Sequence, residues 1–282
     1  MIKIGPAGNS KSFYDSGRKH TYQAGEYLYE LGLNAYEYSF GRGVHITDET
    51  AQKIGYEMRK YGVEISVHAP YYTNFSNPSD EMIEKSIGYV LQSVDAVLRL
   101  GGRRVVFHPA SCGKLDRETA VNLAKANLKR LADALNSTFG DKDYIVCPET
   151  MGKNKQIGTV EEVVEFCKIH PKFYPCYDFG HINSYTHGGI KGEDDYRRII
   201  EYTIDQLGRS KAENMHIHFS KIMYGASGEI KHLTLEDSLY GPEYEPLAKI
   251  IDEYGLSPFI ICESHDVMAE DAVIMKNCHK IV

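Results

Sequence analysis

The chain has 282 residues, 42% of them hydrophobic and 25% charged, and a formal net charge of -7. That content supports a sizeable core, and the length suits one large α/β barrel spanning residues 1–282 without a second domain. The acidic balance argues against the overall basic surface of many nucleic-acid binders, although bound divalent cations would offset acidic groups locally. Six cysteines, at 112, 147, 167, 176, 262 and 278, include no C-x-x-C pair and read as free thiols in a reducing compartment. The N-terminal "MIKIGPAGNSKS" lacks a signal-peptide h-region, and no apolar run approaches a membrane span. A cytoplasmic monomer without membrane contact is expected.

Strand-like and helix-like runs then alternate along the chain. Apolar strands are predicted at Ile2–Ala7, Ala35–Phe40, Glu64–Ala69, Arg104–His108, Tyr144–Glu149, Tyr174–Phe179, Met215–Lys221 and Pro258–Glu263. Between them, Ile83, Ile87, Val90, Leu91, Val94, Val97 and Leu98 line one face of a helical segment that Gly101-Gly102 stops. Val121, Leu128, Leu131 and Leu135 make a second such stripe. Eight strand–helix units joined mostly by short loops predict a (β/α)8 TIM barrel, with a doubly wound open sheet as the alternative. The longest non-helical insertion, Ile222–Pro242, follows the seventh strand, and loops of that length are often functional.

Barrels of this kind place their chemistry at the C-terminal ends of the strands. There the chain puts His68 after strand three, His108 after strand four and Glu149 at the end of strand five. Strand six supplies Asp178 and His181, strand seven His216 and His218, the following loop His232, and strand eight Glu263. Imidazoles and carboxylates converging on one face are the donors that zinc and similar divalent metals select. A single strand-end histidine has an ordinary structural reading, but six successive strands ending in His, His, Glu, Asp, His and Glu form a pattern. The segment "GKNKQIG" lacks P-loop spacing, and no G-x-S-x-G elbow occurs. Tyr71 and Tyr72 follow His68 on a mouth loop, where an aromatic ring can stack on a base or a sugar or simply pack the loop.

On these segments the sequence resembles the endonuclease IV family of apurinic/apyrimidinic endonucleases, within the wider set of xylose-isomerase-like barrels. "IKIGPAGNSKS", "VHAPYYTNFSNP", "VFHPAS", "CPETMG", "CYDFGHINSY", "MHIHFSK" and "IICESHD" follow the family motifs in order along the whole chain. The resemblance implies cleavage of DNA 5′ to abasic sites by a zinc cluster, with manganese as a substitute metal. It implies one zinc on His68, His108 and Glu149, and a second bridged by Glu149 and held by Asp178, His216 and Glu263. It also places His181 and His232 at a third, Tyr71 and Asn74 against DNA, and Glu149 and Glu263 about the nucleophile.

Two departures from the family pattern stand out. The D-x-H pair expected after strand seven reads "SGEIKHLTLED", leaving Ile230 where the aspartate belongs and Glu229 one position away. A third metal short of a ligand is therefore expected, with His218, on the strand face of His216, as a further candidate. The basic loop after strand two is short, with Arg42 as its clear cation for DNA. The competing expectation is a sugar isomerase or epimerase, in which Glu149, Asp178, His216 and Glu263 hold one divalent metal.

Overall fold

The computed structural model describes residues 1–41 and 43–279, so Arg42, expected to contact DNA, lies outside the described residues. Eight strands form in the predicted places: β1 (Lys3–Pro6), β2 (Ala35–Ser39), β3 (Glu64–His68), β4 (Arg104–Phe107), β5 (Ile145–Pro148), β6 (Cys176–Asp178), β7 (His216–Phe219) and β8 (Phe259–Cys262). Helices alternate with them, and the whole is a (β/α)8 barrel. Local sequence explains the helix ends. Thr47 accepts a hydrogen bond from Thr50 N at the start of helix Asp48–Lys60, which carries acidic residues in its first turn and Arg59 and Lys60 in its last. Thr159 and Glu162 form a capping box at helix Val160–Cys167. Among the described residues no helix is long and apolar enough to cross a membrane.

The apolar core is a continuous layer between strands and helices, with Val67, Val105, Val146, Ile217 and Ile260 on the outer strand faces. The barrel interior holds two smaller apolar groups: Val106, Ile145, Cys147 and Cys176 on one side, and Ala35, Phe259 and Ile261 on the other. Interiors of such barrels are usually filled with branched apolar side chains. Here Glu37, Ser66, His216 and His218 are buried as well, so the interior is polar below its mouth.

Hydrogen-bonded ladders run β2–β3–β4–β5 and β1–β8–β7–β6, all parallel, and leave two seams. At each seam a side chain stands in for backbone pairing. Between β1 and β2, Ile4 N donates to Asn34 Oδ1 (2.8 Å), Asn34 N donates to the Ile4 carbonyl (3.1 Å), and Ala7 bridges Glu37. Between β5 and β6, Glu149 bridges Cys176; Asp178 N donates to Thr150 Oγ1 (2.9 Å), which donates to the Asp178 carbonyl (3.2 Å). The first seam is also tight, because a Cβ on Gly5 would lie 1.7 Å from the Ala35 carbonyl oxygen.

Two predicted boundaries move for local reasons. Strand six stops at Asp178 because its Oδ1 accepts from His181 N (2.7 Å) and caps the helix Phe179–Tyr185. The insertion after β7 is not a loop throughout: Ile222–Gly225 and Gly228–His232 pair as an antiparallel hairpin.

The close approach at the first seam yields a test. Gly5→Ala must push two backbones apart, so it should cost about 2 kcal/mol or more of unfolding free energy, in the range of overpacked cores. Urea denaturation followed by circular dichroism measures this, and a change below about 0.5 kcal/mol, the size of an ordinary surface substitution, would show that the seam is loose.

Candidate metal centre

Glu149 is the hub. It follows β5 at the second seam, is 1% exposed, and has four imidazoles around one carboxylate. His68 Nε2 and His108 Nε2 lie 3.1 and 3.2 Å from its Oε2; His218 Nδ1 and His181 Nδ1 lie 3.1 and 3.4 Å from its Oε1. Burial alone would raise the pKa of this carboxyl, but the His218 charge and the hydrogen bonds from His108, His181 and His218 hold it well below the usual carboxylate range.

Three donor groups share or adjoin this residue. His68, His108 and Glu149 form the first; Glu149, Asp178, His218 and Glu263 the second; His181, Glu229 and His232 the third. The structure thus brings together His68, His108, Glu149, Asp178, His181, His232 and Glu263 from the sequence-predicted set. His216, expected in the second group, is not part of it. Parallel register pairs His218 with Asp178 on β6 and with Ile261 on β8, whereas His216 pairs with Cys176 and Phe259. His216 therefore sits one side-chain layer deeper, about 6.6 Å down the strand. Burial pushes its pKa down to about 4, with Glu37 partly offsetting the shift, so it is neutral at pH 7. His218, by contrast, is held well above the ordinary imidazole value by Glu263, Glu37 and Glu149, against the effect of burial.

The third group corrects the expectation of a missing ligand. In the hairpin, Met223 pairs with Lys231 but Tyr224 pairs with Glu229, so Ile230 is the extra residue of a β-bulge and is 60% exposed. In an unbroken strand Glu229 and His232, three apart, would face opposite sides. The bulge resets the alternation and points both inward, with Glu229 Oε2 3.4 Å from His181 Nε2 and Glu229 Oε1 4.0 Å from His232 Nε2. Gly152 makes room for this approach: a Cβ there would lie 2.9 Å from both Glu229 Cβ and His181 Cδ2.

The protons show whether these groups suit cations. His68 Nδ1 faces the Ala69 carbonyl (2.7 Å) and His181 Nδ1 the Thr150 carbonyl (2.9 Å). A carbonyl only accepts, so both Nδ1 atoms carry a proton, and each ring, once neutral, turns an Nε2 lone pair toward a carboxylate. Lone pair against carboxylate is repulsive until a proton or a metal lies between. Asp178 Oδ2, buried, has no hydrogen-bond donor among the described residues. These donors fit divalent metal ions.

The groups open on a cleft of about 760 Å³ lined also by Tyr71, Met151, Lys153, Lys231 and Met268. The Tyr71 ring lies 4.8 Å from that of His68 and 5.2 Å from that of His108. Burial, with the charges of Glu263, Glu37 and Glu149, pushes its phenol up to about 12. Asn74, expected at the substrate, has its Oδ1 engaged within its loop, where it accepts from Ser76 N, Ser76 Oγ and Ser111 N. Glu37 was not a candidate from the sequence, although its signal was present. It is an ionisable residue inside a strand, on the parity of Ala35 and Ser39, and it contacts both His216 and His218.

A family model described as a xylose isomerase-like TIM barrel matches residues 26–278. An uncharacterised protein of Methanocaldococcus jannaschii is 32% identical over 281 residues, 99% of this chain and 97% of that one. A probable endonuclease 4 of Geobacillus kaustophilus is 23% identical over 274 residues, 89% and 87% of the two chains. Among solved structures, endonuclease IV from Thermus thermophilus superposes with a TM-score of 0.65 at 18% identity, covering 92% of this chain and 93% of that one. The 3-keto-D-glucoside 4-epimerase of E. coli does so at 0.68 and 13%, covering 99% and 100%.

Two measurements test the geometry. Purified His218→Ala should lose about one metal equivalent per chain, while His216→Ala keeps the wild-type ratio; elemental analysis showing the reverse would return His216 to the site. Imidazoles must shed protons to take a metal. The folded-state pKa values of His181 and His218 are raised, so their stabilising protonation is complete below about 6.5 and is lost as pH climbs through the folded values. Zinc should therefore raise the melting temperature of the metal-free protein more at pH 8 than at pH 6. An equal or smaller rise at pH 8 would contradict the assignment of these imidazoles as ligands.

Proposed function

The chain belongs to the xylose isomerase-like TIM-barrel family, and from that premise we propose that it is a metal-dependent phosphodiesterase that nicks DNA 5′ to abasic sites. The observation that carries the reading is the meeting of three His/carboxylate groups at Glu149. One cation suffices to polarise a sugar carbonyl, whereas phosphodiester hydrolysis gains from clamping both the attacking and the leaving oxygen. His68 and His108 would hold one zinc with Glu149, while Asp178, His218 and Glu263 would complete a second around the shared carboxylate. His181, Glu229 and His232 would hold a third. Such cations, when bound, supply charge neutralisation on the phosphate and a nucleophile at neutral pH. Manganese, which accepts the same oxygen and nitrogen donors, would substitute.

The chain's own residues divide the remaining work. Glu149, kept ionised, would be shared between cations and would be no proton donor. Glu263 lines the cleft; with Oε1, 3.6 Å from His218 Nδ1, on the metal side, its Oε2 would be left to receive a proton. The Tyr71 ring walls the His68 and His108 side and offers a flat face to a sugar or a base. Lys153 and Lys231 stand at the cleft wall, where a phosphate would arrive.

One observation favours a second reading, a sugar epimerase. Glu149, Asp178, His218 and Glu263 are a complete single-metal group by themselves, and the chain's net charge of -7 offers DNA little long-range attraction.

A duplex oligonucleotide with one abasic site separates the two. Nicking 5′ to the lesion is expected, abolished by chelation, restored by zinc or manganese, and weakened as salt rises. Glu263→Gln should lower the nicking rate about 10²–10⁴-fold, the usual contribution of a proton-transfer group. Turnover of free ketoses with no nicking over a range of metals would transfer the assignment to the epimerase.

A further inference from the structure

One layer beneath the metal-type groups, the barrel interior contains a buried carboxylate that the proposed reaction does not use. Glu37 comes from the middle of β2 and is 0% exposed. Ser66 Oγ on β3 donates to its Oε2 at 2.8 Å. The same Oε2 lies 3.3 Å from His216 Nε2, and its Oε1 lies 2.9 Å from His218 Nε2. These imidazole contacts are close but too bent to count as aligned hydrogen bonds. Two strands, β3 and β7, thus aim polar groups at one carboxylate in a place where barrels ordinarily pack Val, Ile or Leu.

The chemistry of the contact fixes which way His218 faces. Both nitrogens of His218 face carboxylates, Nδ1 within hydrogen-bond reach of Glu149 Oε1 and Nε2 2.9 Å from Glu37 Oε1, so a cation taken up by the upper group would displace the Nδ1 proton and leave the remaining one on Nε2 beside Glu37. With Nε2–H turned down to Glu37, the ring's other nitrogen, Nδ1, points up to Glu149 Oε1 at 3.1 Å and Glu263 Oε1 at 3.6 Å. We propose that Glu37 is a positioning residue: it selects the Nε2–H tautomer and ring orientation of His218, so that the group of Glu149, Asp178, His218 and Glu263 receives an Nδ1 lone pair. His216 and Ser66 hold the carboxylate in register from either side. This explains why β7 carries two histidines at alternate positions, one facing the metal-type group and one bracing the residue that aims it. A metal-binding histidine commonly gives its second nitrogen to a carboxylate, which fixes the tautomer and raises ligand basicity. The inference rests on the reading that the upper group binds a metal.

The test uses zinc-loaded protein titrated with a competing chelator, together with ¹⁵N spectra of histidine-labelled samples. In Glu37→Gln, one metal equivalent should be held about 10–100-fold more weakly, the usual cost of losing such a partner, while the other equivalents keep their wild-type affinity. At a pH high enough to neutralise the ring, metal-free wild-type His218 should be Nε2-protonated and that of the variant a mixture of tautomers, a change that loss of packing alone would not produce. Ser66→Ala removes only the hydroxyl that anchors the carboxylate, and should weaken the same equivalent by a few-fold even if Glu37→Gln does not fold. Wild-type affinity for every equivalent in the variants that fold, or a His218 ring that stays purely Nε2-protonated without Glu37, would overturn the proposal. Wild-type protein that takes up no zinc would instead overturn the functional reading, and this inference with it.

Discussion

A single buried carboxylate, surrounded by four imidazoles, sets the terms for the rest of the molecule. Glu149 has almost no access to water, and an ion so placed costs several kcal/mol unless partners compensate it. His68, His108, His181 and His218 arrive from four different strand ends to do so. Protons can satisfy that arrangement, but two of the rings already spend their Nδ1 proton on a backbone carbonyl. Once the rings are neutral, what remains is lone pairs and carboxylate oxygens facing one another, a condition that divalent cations relieve. Metal binding in such a site is also folding free energy, because the donors are gathered only in the closed barrel.

The seams of the barrel are where that gathering is done. The two four-stranded ladders do not zip together along their edges; Asn34 and Thr150 patch the gaps with side-chain hydrogen bonds. Glu37 lies at one seam and Glu149 at the other. Thr150, the residue after Glu149, hydrogen-bonds both backbone groups of Asp178, so two of the three carboxylates of the central group are held at a set separation. Gly5 and Gly152 serve the same end by absence of a side chain. One lets β1 approach β2, and the other lets the hairpin carboxylate of Glu229 come against His181.

The hairpin after β7 shows how a departure from a family pattern can be offset by backbone geometry. Its second strand is docked on the loop after β5, where Glu229 N donates to the Gly152 carbonyl at 3.0 Å. The unpaired Ile230 turns out to solvent and brings Glu229 and His232 to one side. A carboxylate three residues from a histidine thereby does what an aspartate two residues away would do in a regular strand.

Much of this was legible in the sequence by itself. Alternation of apolar strands with amphipathic helices is a local property, and it specified eight strand–helix units, which a closed barrel or a doubly wound open sheet would both use. Strand ends are local too, so His68, His108, Glu149, Asp178, His181 and Glu263 could be placed at the mouth from their positions alone. What only the tertiary structure decided is depth and parity. His216 and His218 have the same inward parity, and the register of β7 against β6 and β8, a non-local pairing, chose which one reaches Asp178. Glu37 sits mid-strand, away from the mouth, and matters only because closure brings β2 across from β7. Glu229 and Ile230 exchange roles through a bulge that pairing between two strands creates, and that no periodicity within one strand encodes.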